Sequence, residues 1–205
     1  MDRLIAPYVI AWTDESTPPA RVVVTPAGVS YADPVQDALA RDFDNVLWEL
    51  CAGTATGSPA YAAELHPGRQ PECMESLLCA NCRNPAARDE GGMTWVLPAP
   101  EDGLPPATRW EGARTEIPPM CASCARSVPR RCPRLREGYM ELRVREAEQI
   151  GVRGTLHPRT GEPGLRPEER ALVLYDSPDL PFVVARQVVR ELRQITVVAF
   201  NAVPT

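Results

Sequence analysis

Apolar positions along this chain recur with two different periods. Tyr8-Val9-Ile10-Ala11-Trp12 is a short apolar run ended by the turn-rich stretch Asp14 to Pro19, and it reads as a buried strand. Arg21 to Thr25 and Val29 to Tyr31 flank Pro26-Ala27-Gly28, the pattern of a hairpin with Gly28 supplying the turn. From Asp37 to Leu50, Leu39, Phe43, Val46, Leu47 and Leu50 share one stripe at helical spacing, which predicts an amphipathic helix. Ala52 to Pro71 is small, polar and broken by Gly and Pro, and is expected to be a loop. Met93 to Leu97 reads as a strand. Tyr139 to Arg145 alternates, with Met140, Leu142 and Val144 on one face, and predicts a half-buried strand with Val152 to His157 returning as its partner. Gly161 to Glu169 is a Pro/Gly-rich connection, and Ala171 to Tyr175 a further strand. Ser177-Pro178 has the form of a helix start, because serine caps the first turn and proline at the first position loses no hydrogen bond. Leu180, Val184, Val188, Leu192 and Ile195 then fall on one helical face, with Arg186, Arg190 and Arg193 largely elsewhere. Ile195 to Phe200 is apolar enough for a central strand.

These elements predict an α+β fold of antiparallel or mixed sheet segments joined through a central module. Residues 1–71 form a β-rich segment with one helix, and residues 72–137 hold paired cysteines. Residues 138–205 form a β-hairpin followed by a β–α–β segment, the whole packing as one compact unit.

The chain has 205 residues, 44% hydrophobic and 24% charged, proportions that suit a globular core. No apolar run approaches the roughly 18 residues of a membrane span, and the start, Met-Asp-Arg-Leu-Ile-Ala-Pro, lacks the apolar stretch of a signal peptide. A cytoplasmic location is the expectation. All 22 basic residues are arginine, a bias that fits a GC-rich genome better than a demand for phosphate recognition. The formal charge is −5; four thiolates around one dication would add −2, for about −7. Such a molecule has no overall attraction for nucleic acid or anionic membranes.

Seven cysteines in a chain expected to be cytosolic favour metal binding over disulfides. Four of them form two Cys-x-x-Cys pairs, Cys79/Cys82 and Cys121/Cys124, separated by the 38 residues 83–120. A tight turn aims both thiolates of such a pair at one ion, so the four together predict one structural Zn²⁺ per chain. Leu77 to Pro85 has the form of a zinc knuckle, with Asn81 or Asn84 expected at positive φ. Cys121 and Cys124 follow Ile117-Pro118-Pro119-Met120 and are expected on the first turn of a helix, where free N–H groups stabilise thiolates. Cys132 is expected to pack near the metal; Cys51 and Cys73 have no histidine beside them in sequence. His66 and His157, each before a proline, are expected to anchor loops by hydrogen bonds, with a ligand or base role as the alternative.

Knuckle, strand or hairpin, then a helix bearing the second ligand pair: over Leu77 to Leu135 this order resembles a treble-clef zinc finger. The chain also resembles uncharacterised actinobacterial proteins with the pattern Leu78-Cys79-x-x-Cys82, a strand bearing Trp95, Pro119-x-Cys121-x-x-Cys124-Ala125 and Arg130-Arg131-Cys132-Pro133, extending through His66-Pro67 and Val189 to Leu192. That resemblance implies no activity. HNH nucleases use similar cysteine spacing but need a histidine base, and no histidine lies between Arg83 and Met120, so nuclease chemistry is disfavoured. From Cys121 to Arg153 eight arginines face four glutamates, a local +4; Arg126, Arg130, Arg131, Arg134, Arg143 and Arg145 are the candidate contacts for nucleic acid or a partner. The leading expectation is a non-catalytic, zinc-stabilised binding or adaptor protein whose partner is another protein. The alternatives are a nucleic-acid-associated or regulatory protein and an enzyme with an unrecognised site.

Overall fold

A computed structural model describes residues 6–61, 63–99, 110–159 and 165–202. Its strands are β1 (Glu15–Ser16), β2 (Val22–Thr25), β3 (Gly28–Tyr31), β4 (Leu47–Trp48), β5 (Ala52–Gly53), β6 (Arg88–Asp89), β7 (Gly92–Pro98), β8 (Ala113–Thr115), β9 (Gly138–Leu156), β10 (Glu168–Leu174) and β11 (Val183–Ala202). Four short helices intervene: α1 (Pro34–Ala40), α2 (Arg69–Glu75), α3 (Ala122–Ser127) and α4 (Pro133–Arg136). The architecture is mixed sheet with a few helices.

β9 and β11 form one long antiparallel ribbon, running from Val183 opposite Leu156 to Ala202 opposite Gly138. Everything else in the main sheet is laid along this ribbon. β7 and β10 occupy successive stretches of the free edge of β9, at residues 139–144 and 151–156, with β6 outside β7. β4, parallel, and β8, antiparallel, occupy successive stretches of β11 at residues 184–185 and 190–192. The β2–β3 hairpin and the β1–β5 pair stand apart as two small sheets.

The alternation in Tyr139 to Arg145 is realised as read: Met140, Leu142 and Val144 are buried together with Met93, Trp95, Leu97 and Leu192. Three other elements differ. Val152 to His157 is not a returning partner, since residues 138–156 continue as one strand. Glycine keeps the ribbon tightly paired there: a Cβ on Gly154 would collide with the Val184 carbonyl oxygen on the neighbouring strand. The stretch from Ser177 to Ile195 is not a helix. Ser177 and Pro178 lie in a turn, residues 180–182 form one 3-10 turn, and the strand β11 begins at Val183. A spacing of four is also an even number, so Val184, Val188 and Leu192 suit one strand face as well as one helix face. β-branched Val183, Val184, Val188 and Val189, buried on both sides, decide for strand.

The third difference is the helix expected over Asp37 to Leu50. α1 begins earlier, with Asp33 capping Val35 and Gln36, and ends at Ala40. Asn45 turns at φ 63° and Leu47–Trp48 join the sheet, leaving Leu39 and Phe43 outside the core. The β2–β3 hairpin forms as expected. Tyr8 to Trp12 is not a strand: Tyr8 and Val9 lie in a turn closed by Ile10 N–H on Pro7 O, and among the described residues Ile10 and Trp12 make single bridges to Leu65 and Pro59. The expected loop of residues 52–71 gives way at Arg69 to α2. The connection expected over Gly161 to Glu169 lies outside the described residues up to 164. No helix among the described residues is long and apolar enough to cross a membrane.

Candidate metal centre

Four local structures converge on the cysteines. After α2, Leu77 turns at φ 51° and the chain enters a knuckle in which Cys79 N–H donates to Asn84 O (2.7 Å) and Arg83 N–H to Cys79 O (2.9 Å). Arg83, at φ 63°, takes the left-handed position expected of Asn81 or Asn84. Its guanidinium pairs with Glu72 and lies 5.5 Å from the Tyr8 ring, while the Tyr8 hydroxyl donates to Glu72 at 2.6 Å. Burial and this carboxylate push the Tyr8 hydroxyl pKa up to about 12, so it stays a donor. The turn at Tyr8 and Val9 lies along the knuckle, with Tyr8 N–H on Asn81 O and Val9 N–H on Ala80 O.

The second pair arrives through β7 and the strand-like Ile117 to Met120, where Ala80 N–H meets Pro119 O and Met120 N–H meets Thr94 O. Cys121 is the N-cap of α3, with extended backbone, and Cys124 lies one turn in. Pro129 ends this helix in a 3-10 turn, and Pro133 starts α4.

The four sulfur atoms lie within 4.8 Å of one another, and Cys82 Sγ is 3.7 Å from Cys121 Sγ. Zinc–sulfur bonds of ~2.3 Å in a tetrahedron require sulfur–sulfur edges of about 3.8 Å. The spacing therefore fits a tetrahedral thiolate-bound ion. Cys79 and Cys124 are buried, whereas Cys82 and Cys121 are partly exposed. The sulfurs are also surrounded by donors. Asn81 Nδ2 lies 3.1 Å from Cys124 Sγ, and backbone N–H groups of Cys121, Cys82 and Asn81 point to Cys79.

These contacts set the ionisation order of the metal-free thiols. Burial opposes ionisation of Cys121, but hydrogen bonds from the Ser123 hydroxyl and the Cys124 backbone N–H outweigh it and bring the thiol down to about 6. Burial raises Cys79 and Cys124. Metal binding takes thiolates, so the buried Cys79 and Cys124 release protons on joining an ion.

Neither histidine belongs to this cluster. His66 Nδ1 accepts from the N–H groups of Gly68 and Arg69 and so holds the start of α2, the anchoring role expected of it. Cys73 is fully buried, and burial pushes its thiol up to about 12. Cys132 packs at the edge of the same core. Cys51 lies elsewhere, half-buried near Glu15 and Glu49, with its pKa raised by burial.

No family model, curated protein or solved structure matches the chain. The arginines must therefore be judged by their own contacts. Arg134 gives two hydrogen bonds to the carbonyls of Tyr61 and Ala63 (2.8 and 2.7 Å), and Arg143 pairs with Asp89 and Glu141. Arg126, Arg130, Arg131 and Arg145 are exposed and, among the described residues, in no ion pair. Arg126 and Arg130 do not share a helix, because α3 ends between them. Sequence reasoning missed Asn81 and Ser123 as partners of the sulfurs; a polar residue inside each Cys-x-x-Cys pair is the signal that marks them.

Proposed function

We propose that this chain is a zinc-stabilised, non-catalytic binding protein whose partner is another protein. In this reading Cys79, Cys82, Cys121 and Cys124 hold one structural zinc ion in a treble-clef-like module: knuckle, the β6–β7 hairpin, then α3. Four protein sulfurs leave no open coordination position for substrate, so the metal supports the fold rather than a reaction.

The observation that carries the partner is an apolar stripe that the described residues leave uncovered. Val35 and Leu39 are one helical turn apart on α1, with Phe43 four residues on, and they are 65%, 79% and 104% exposed. Single exposed apolar residues are ordinary, but three large ones within nine residues of chain make a candidate contact patch. Exposed Asp33, Asp42 and Asp44 flank them in sequence. The matching partner has an apolar groove bordered by basic side chains. A nucleic acid or an anionic membrane does not suit those acids.

Affinity capture with the zinc-loaded chain and with Leu39→Glu and Phe43→Ser tests this reading. The expected result is one partner retained stoichiometrically by the native chain and lost from both variants, with zinc content and melting temperature unchanged. A partner set that is identical for all three proteins would overturn it. The exposed Arg126, Arg130, Arg131 and Arg145 favour nucleic acid as the second reading; affinity that falls steeply with salt would support that reading instead.

A further inference from the structure

The β9–β11 ribbon carries a second constructed site, remote in sequence from the cysteines. At Gly154 of β9 both neighbouring strands are bulged. β11 slips register between Ala185 and Gln187, and β10 slips between Glu168 and Ala171. The second bulge holds Arg170 at φ 59°, a backbone region that a bulky side chain rarely adopts. Bulges redirect side chains. Here residues of both bulges line one cavity of about 300 Å³, together with Thr155, Glu49 and Glu64.

Two features separate this cavity from a surface lattice of ion pairs. First, Gln187 lines it and is only 5% exposed, yet its amide makes no hydrogen bond to another described residue. A nearly buried amide with no partner among the described residues can pair with what enters the cavity that its residue lines. Second, Arg186 Nε is buried without an aligned acceptor. Glu64 Oε2 lies 2.8 Å from that nitrogen, but the contact is not directed as a hydrogen bond.

The lining charges indicate the ligand. Arg153, Arg170 and Arg186 oppose Glu49, Glu64 and Glu169, so the wall is neutral by formal count and does not favour a phosphate. Each arginine still has N–H groups with no acceptor among the described residues: Arg186 gives Nη1 to Glu49, Arg170 gives Nη1 to Glu64, and Arg153 gives Nε and Nη1 to Glu116 and the Arg170 carbonyl. Exposed Glu169 is in no ion pair among the described residues. Unused donors for a carboxylate, a free carboxylate for an ammonium group and a two-way amide suit a zwitterion. The cavity lies at the small end of the ~300–1,000 Å³ range of ligand pockets, and all its lining residues but Gly154 carry polar or charged side chains.

We propose that this cavity binds a free α-amino acid, with its carboxylate on Arg186 and Arg170, its ammonium on Glu169, and Gln187 reading a polar group between them. The proposal is independent of the partner-binding patch.

Calorimetric titration of the zinc-loaded full chain with each proteinogenic L-amino acid tests it. The expected result is saturable binding of at least one, with a Kd between about 1 μM and 1 mM. The N-acetyl and carboxamide forms of that amino acid should each bind at least about tenfold more weakly, a change of about 1.4 kcal/mol. Gln187→Leu, close in volume, should weaken binding by about the same factor, and Glu169→Gln, at an exposed position that does not threaten folding, should do so too. No saturation by any amino acid at about 10 mM, far above the Kd of a specific site, overturns the proposal. So does equal competition by inorganic phosphate, or native-like binding by Glu169→Gln together with the blocked analogues.

Discussion

Gln70 offers the sharpest test of how the metal module is tied to the sheet. Its side chain is fully buried. Along the outer edge of β11, β4 pairs at residues 184–185 and β8 at residues 190–192, leaving Val188 between them without a strand neighbour. The Gln70 amide fills that gap: Oε1 accepts from Val188 N–H and Nε2 donates to Val188 O, each at 2.9 Å. Nε2 also donates to Glu116 O at 2.6 Å, shortly before Cys121 in the chain. Gln70→Leu keeps the volume and orphans the two buried backbone groups of Val188 and the partly buried Glu116 carbonyl. At about 2 kcal/mol for each buried group and about 1 kcal/mol for the partly buried carbonyl, less about 1 kcal/mol for the added apolar burial, the loss is about 4 kcal/mol. For a chain of this size that lowers the melting temperature by about 8–16 °C, and urea titration should give the same loss as a shifted midpoint. Gln70→Glu separates hydrogen bonding from packing. It retains the acceptor but aims a carboxylate at two carbonyl oxygens, so it must be protonated when folded. Its folded pKa is raised and the folded state binds the extra proton. The stability this proton supplies is therefore complete below the unfolded pKa and lost as pH rises from there through the folded one. A Gln70→Leu loss below about 1 kcal/mol, or a Gln70→Glu variant with no added stability in acid, would refute the assignment.

Protein purified without added metal should contain one zinc per chain, and Cys121→Ser should lower stability by several kcal/mol, read by elemental analysis and chelator-dependent unfolding; metal-free protein with unchanged stability would sink the centre. Burial lowers the pKa of both His66 and His157, so the unfolded chain binds more protons than the folded one and stability falls as pH drops through about 6.5. A denaturation midpoint that does not change between about pH 7.5 and 5.5 would contradict this sign. Gly154→Ala places a methyl group against the Val184 carbonyl and Ala185 Cα, both backbone, and should cost about 1–3 kcal/mol by spreading the ribbon; a neutral effect in thermal unfolding would disprove the close approach.

The cysteine cluster was legible because ligand chemistry is written in residue type and spacing, and two Cys-x-x-Cys pairs leave few alternatives. β9 was legible over residues 139–145, where one face is buried and the other is not. Sequence reading failed where both faces are covered. From Phe182 to Arg190 all residues but Arg186 are buried, so no alternation survives and a spacing of four mimics a helix. It failed also at Leu39 and Phe43, which continue a helical stripe but cover nothing. Periodicity records an apolar face, and it does not record whether the chain itself buries that face. The cavity at Gly154 could not be read at all, because a bulge is a mismatch between two strands and has no signature in either one alone.

The two sites are joined by the residues that cross between them, which makes a coupling testable. Arg134, in the helix that follows the second cysteine pair, holds the carbonyls of Tyr61 and Ala63, and His66 N–H bonds Val9 O while Val9 N–H bonds Ala80 of the knuckle. Between these anchors lies Glu64, whose carboxylate meets Arg170 and Arg186 in the cavity wall. If the four cysteines hold zinc as proposed, its loss frees the knuckle and α3, and with them the anchors that place Glu64. Removing zinc should therefore weaken amino-acid binding at least about fivefold, the scale of a coupling of ~1 kcal/mol. Arg134→Ala should do the same with zinc retained, since it cuts the link and leaves all four sulfurs in place. If Arg134→Ala binds zinc and the amino acid both at native affinity, the cavity is held by the β9–β11 ribbon alone and the metal supports a separate part of the fold.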